Sequence, residues 1–150
     1  MNIPYSSCNL GSINLVNCIK EDKSFDWEFY EKLIRKATRF LDSVIDVNDY
    51  PIEKIEKVTK KIRPIGLGAF GLGHALFIMG IPFNSEEAYT FKEKMSNMLT
   101  LVSMDESIEI AKEISESYEA FDYDLYIKAN DRLLKNREDV KEKILKYGIR

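Results

Sequence analysis

Two cysteines, one histidine and a glycine cluster are the residues of this chain whose types could do chemistry. Cys8 stands in Pro4-Tyr5-Ser6-Ser7-Cys8-Asn9-Leu10-Gly11-Ser12-Ile13-Asn14-Leu15, the one stretch where a reactive side chain sits among small, polar and β-prone residues. A thiol reacts as its thiolate, and no cation in this stretch favours that form. By its local surroundings alone Cys8 therefore reads as Cys18 does, as a small hydrophobe. A Cys8–Cys18 disulfide would need the strand between them to fold back on itself, which argues against that pair. His74 is the only histidine, so no zinc cluster of the usual spacing is available and no metal is expected. It falls in an apolar helix and reads as a buried or boundary residue with one satisfied ring nitrogen. Gly66-x-Gly68-x-x-Gly71 matches the dinucleotide fingerprint in letters, but that fingerprint works after a strand and before a helix. Here it follows a basic helix and Pro64, so close backbone packing is the favoured reading and this segment is expected to bind no cofactor. The carboxylates are scattered along helical faces, with no acid/base pair standing out, and read as a solvated surface.

The elements that must position Cys8 follow from periodicity. Residues 9–16 form a short, charge-free segment read as a buried strand, with Cys8 at its mouth, where loops usually place chemistry. Asp26 is a candidate N-cap. From Trp27 through Tyr30, Ile34, Leu41 and Ile45, apolar residues recur every three or four, an amphipathic helix ending near Val47 with Arg35 and Arg39 on its wet side. Pro51 opens a second helix and Pro64 stops it. Residues 65–71 are too glycine-rich for a regular helix, and a buried helix runs from about Phe70 to Met79, closed by Gly80. Asn84 with Glu87 reads as a cap for a long or broken helix reaching Tyr118. Phe121–Tyr126 reads as a loop, and Asn136 as the cap of a last helix closed by Gly148. The expected fold is mainly α, with one short strand unpartnered within the chain, in a single domain over 1–150.

At 150 residues the chain is long enough for one moderate core, and 45% hydrophobic with 31% charged residues is ordinary for a soluble globular protein. A net charge of -3 gives no electrostatic footprint for nucleic acid or an anionic membrane. No apolar run approaches the roughly 20 residues of a membrane span, and no signal peptide is seen. Cytoplasmic residence is the simple expectation.

The stretch Ser7-Cys8-Asn9-Leu10-Gly11-Ser12-Ile13-Asn14-Leu15 closely resembles a segment of the catalytic subunit of ribonucleotide reductases, nearest the adenosylcobalamin-dependent branch. Phe40-Leu41-Asp42-Ser43-Val44-Ile45-Asp46, Arg63-Pro64-Ile65-Gly66-Leu67-Gly68-Ala69-Phe70-Gly71-Leu72, Gly80-Ile81-Pro82-Phe83-Asn84-Ser85-Glu86-Glu87-Ala88 and Lys146-Tyr147-Gly148-Ile149-Arg150 continue the likeness in order. Residues 115–140 are the least similar. The resemblance implies part of a ten-stranded α/β barrel, and it implies that Cys8 is one of two thiols that reduce the nucleotide and become a disulfide. It implies adenosylcobalamin for the complete enzyme. It also implies that the radical cysteine, the effector site and the phosphate loop lie outside these residues, so that the isolated chain reduces no nucleotide.

Two accounts of such a segment stand side by side: a piece of a split reductase, or a remnant that catalyses nothing. A helical interaction module is the alternative of a different class. The partners expected are other reductase fragments, or a second copy of the chain, through the unpaired strand and the apolar face of the glycine-rich helix. A nucleotide would bind only in the assembled enzyme.

Overall fold

A computed structural model describes residues 4–150; Met1, Asn2 and Ile3, which the reading of a single 1–150 unit includes, lie outside the described residues. In chain order the elements are β1 (Asn9–Asn14), α1 (Trp27–Val47), α2 (Glu53–Ile62), β2 (Ile65–Phe70), α3 (Leu72–Met79), α4 (Glu86–Ile114), α5 (Tyr123–Ala129), α6 (Asp131–Leu134) and α7 (Glu138–Tyr147). The fold is mainly α, as the periodicity implies.

The expected orphan strand is corrected by the structure. β1 pairs in parallel with β2, in a register running from Asn9 opposite Ile65 to Asn14 opposite Phe70. Parallel pairing needs a long crossover, and α1 with α2 supplies it. Glycine is depleted in strands because it weakens them, which is why residues 65–70 did not read as one. Here Gly66 and Gly68 lie opposite Leu10 and Ser12. β1 is also shorter than expected: Asn14 caps a turn of 3-10 helix over Leu15–Cys18 by accepting from the Val16 N–H at 3.2 Å.

The two faces of this small sheet differ. On one, the Leu41 side chain of α1 lies 3.4 Å from where a Cβ on Gly11 would stand, and Asn9 donates to the Leu41 carbonyl at 3.1 Å. Ile13 on that face is buried in a core with Leu15, Phe25, Tyr30, Ile34, Leu76 and Phe91. The other face carries Leu10, Ser12, Gly66, Gly68 and Phe70; Leu10 is 81% exposed and Phe70 53%. A second core joins Met104 and Ile108 of α4 to Leu134, Val140 and Ile144. The 29-residue α4, unbroken, spans both.

Other boundaries move by a residue or two, each for a local reason. Asp26 caps α1 as expected, accepting from the Phe29 N–H at 2.9 Å. α2 starts at Glu53, two residues after Pro51, with Ile52 at its cap. α3 begins at Leu72 because Gly71 adopts φ +80. Ser85, not Asn84, caps α4, accepting from the Ala88 N–H at 3.1 Å while donating to the Pro82 carbonyl at 2.7 Å. Part of the expected 121–126 loop is helical, because the Asp122 carboxylate accepts from the Leu125 N–H. Asn136 sits at φ +63 and Arg137 takes the cap position of α7.

The carboxylates are not all solvated. Asp42 and Glu106 are buried, and each meets arginines. Arg39 donates to Glu106 Oε1 through Nε at 2.9 Å and Nη2 at 2.6 Å, and Arg35 reaches Glu106 Oε2 at 3.2 Å. These bonds tie α1 to α4, so Arg35 and Arg39, still partly exposed, also serve as partners between helices. Arg63, only 7% exposed, donates to Asp42 Oδ1 at 2.8 Å, the Asp42 carbonyl at 2.9 Å, and both Asp46 oxygens at 2.7 and 2.8 Å. The Arg63 bonds hold the Asp46 carboxyl below its usual range despite partial burial. We expect Arg63→Ala to reduce the free energy of unfolding by about 3 kcal/mol or more, the order seen when one member of a buried ion pair is removed. Urea titration followed by circular dichroism measures this. A loss under roughly 0.5 kcal/mol would mean that the pair behaves as an exposed one.

Candidate functional site

Cys8 immediately precedes β1, and anchors on both sides fix its backbone. Upstream, the Ser7 N–H donates to Thr59 Oγ1 at 3.0 Å and the two hydroxyls lie 3.3 Å apart. Thr59 is buried within α2, so this anchor is rigid. Lys54, a turn earlier on the same helix, places its ammonium 3.7 Å from the centre of the Tyr5 ring. Downstream, the bond from Asn9 to the Leu41 carbonyl holds the start of the strand against α1. Between these anchors the Cys8 side chain is exposed, its Sγ 3.5 Å from the Asn9 carbonyl. The sulfur lies above Gly66, 3.7 Å from where a Cβ on that residue would stand. It therefore projects from the sheet face that, among the described residues, no helix covers.

The structure separates the two cysteines. Cys18 is 1% exposed in the turn after β1. Burial, and then the nearby Asp26 carboxylate, push its thiol up from the ordinary value, so it stays protonated and inert. Tyr30 in the same core is pushed up to about 12, mainly by burial. The six residues of β1 stand between Cys8 and Cys18, about 20 Å at the usual strand rise, against the 4–7 Å that a disulfide spans. The expectation that they do not pair with each other agrees with this geometry.

His74 is exposed rather than buried or at a boundary. The eight-residue α3 buries Ala75 and Leu76, which turns Gly73, His74 and Phe77 outward. The glycine motif follows α2 and Pro64, as the sequence reading has it, and not a strand: Gly66 and Gly68 lie inside β2 and only Gly71 is in the turn. The fingerprint's phosphate loop is therefore not formed, and the glycines sit against residues of β1 and the turn after it rather than against a helix. Among the described residues, no three His, Cys, Asp or Glu side chains gather to hold a metal ion, and no helix is long and apolar enough to cross a membrane.

Sequence reasoning singled out Cys8 as a candidate but missed what surrounds it. The Thr59 anchor and the Gly66 floor lie 51 and 58 positions away; a hydrogen bond from Ser7 brings in the first and the parallel register the second. An exposed thiol on an uncovered sheet face, with its backbone clamped, is suited to thiol–disulfide exchange with a group approaching from that face. We expect iodoacetamide to alkylate Cys8 in the folded chain and to reach Cys18 only after denaturation, as read by peptide mass spectrometry. Comparable labelling of both in the folded chain would contradict the placement of Cys18.

A family model for the ribonucleotide reductase barrel domain matches residues 2–150. The chain is 41% identical over 119 residues to a vitamin B12-dependent ribonucleoside-diphosphate reductase of Thermoplasma acidophilum, covering 79% of this chain and 15% of the relative. It is 39% identical over 111 residues to the protein of the same description from Mycobacterium tuberculosis, covering 74% and 16%. To the ribonucleoside-diphosphate reductase large chain of Schizosaccharomyces pombe it is 31% identical over 153 residues, covering 95% and 18%. The chain spans less than a fifth of the length of each of these relatives.

Proposed function

The chain belongs to the ribonucleotide reductase barrel-domain family, and on that premise we propose that it supplies one redox thiol, Cys8, to the reduction of ribonucleotides to deoxyribonucleotides. The observation that carries this reading is the exposed Cys8 sulfur on the uncovered face of the β1–β2 sheet, beside Gly66. In the net reaction two thiols give up two electrons and two protons and an S–S bond forms. The ribose C–O bond breaks, the oxygen leaves as water, and hydrogen takes its place. Cys18 is too distant and too buried to be the second thiol, so that group comes from another part of the reductase. The rest of the barrel, and with it the nucleotide site, completes the uncovered face.

Adenosylcobalamin is the radical source this reading favours, because two of the relatives are described as vitamin B12-dependent. It would serve by generating the radical that opens the reaction. What these residues contribute is a thiol held at a fixed place on the sheet.

In the complete reductase, Cys8→Ser should abolish deoxyribonucleotide formation while Cys18→Ala retains it, with product measured by chromatography of the nucleotide pool. Undiminished turnover by the Cys8→Ser enzyme would leave the segment as scaffold and sink the redox role.

A further inference from the structure

The uncovered sheet face is built asymmetrically around Cys8. Leu10 lies two residues along β1 on the same side of the strand as Cys8, and its register partner is Gly66. A Cβ on Gly66 would fall 2.6 Å from Leu10 Cδ2 and 3.7 Å from Cys8 Sγ. The first distance is below any tolerable contact and the second is an ordinary one. The space of a side chain at position 66 is therefore taken by the Cδ2 end of Leu10, with the cysteine sulfur at the margin of the same notch. The arrangement does not continue along the sheet: at Gly68 a Cβ would meet only Ser12 Oγ, at 3.4 Å. Leu10 is 81% exposed, an unusual place for a leucine, and it makes no part of either core. Within this segment its close approach is to Gly66.

We propose that Leu10 is a positioning residue for Cys8: seated in the Gly66 notch, it forms a low wall beside the sulfur and sets the size and direction of what reaches the thiol. Gly66 sets the height of that wall. With any side chain at position 66, Leu10 must leave its rotamer and rise over the sheet, towards the approach to Cys8. With a smaller residue at position 10, the approach widens. The functional meaning of the wall rests on the redox reading of Cys8, but its existence does not.

The test is size-selective alkylation of Cys8 in the folded chain, comparing iodoacetamide with a bulky fluorescein maleimide. Leu10→Ala should raise the rate of the bulky reagent relative to the small one by about fivefold, the factor that corresponds to roughly 1 kcal/mol of steric cost. Gly66→Ala should lower that ratio by a similar factor, and the double variant should return it toward the Leu10→Ala value. Leu10 is exposed, so Leu10→Ala is expected to fold, and it keeps the proposal testable if Gly66→Ala disrupts β2. Ratios unchanged in a folded Leu10→Ala variant would overturn the proposal, whatever the effect of Cys8→Ser on turnover. Shifted ratios together with a fully active Cys8→Ser enzyme would instead retain the wall and remove its redox purpose.

Discussion

The local geometry depends first on one arginine. Arg63 ends α2 in the left-handed region, at φ +44 and ψ +56, a conformation that costs a non-glycine residue about 1–2 kcal/mol. Four hydrogen bonds from its guanidinium to Asp42 and Asp46 of α1 hold it there. Burial opposes its charge, but the two carboxylates outweigh that and hold the guanidinium above its ordinary value. The bend turns the chain from α2 into Pro64 and then β2. The register that follows places Gly66 opposite Leu10 and beneath Cys8. A different exit from α2 would shift that register, and a shift of one residue would turn every side chain of β2 to the other face.

A second charged layer fixes the helices that carry the sheet. Glu106 of α4 is shared by Arg35 and Arg39 of α1. Its neighbour Asp105 receives Arg35 and Lys143, the latter from α7. Burial pushes the Asp105 carboxyl up, but these two cations prevail and hold it below the usual range. α1 is thereby tied to α2 and β2 at one end and to α4 along its length. α4 in turn connects the core under the sheet to the core formed with α6 and α7. The thiol stands just before a short strand, but the strand rests on helices joined by partly buried ion pairs.

Much of this was legible in the residues. The three- and four-residue recurrence from Trp27 to Val47 located α1 at both ends, because an amphipathic stripe, an Asp cap and a terminal Asn-Asp-Tyr-Pro cluster all agree there. Cys8 was legible through its motif rather than through its chemistry, since nothing beside it in sequence marks the thiol as reactive. β2 was not legible, because Ile65-Gly66-Leu67-Gly68 lacks the bulk that strands usually carry, and its strand character comes from pairing with a distant partner. The paired roles of Arg35, Arg39, Asp42 and Glu106 were hidden for a related reason. A charged residue on a helix reads as solvated until a distant element supplies its counterion, Arg63 for Asp42 21 positions on and α4 for Arg35 and Arg39 about 70 positions on.

The most direct test of Cys8 as a reducing thiol is to let the complete reductase turn over once without external reductant, trap free thiols, and map the disulfides by mass spectrometry. The account predicts Cys8 in a new disulfide with a cysteine outside this segment, formed in proportion to deoxyribonucleotide, while Cys18 remains a free thiol. Deoxyribonucleotide formed with Cys8 still reduced would contradict it.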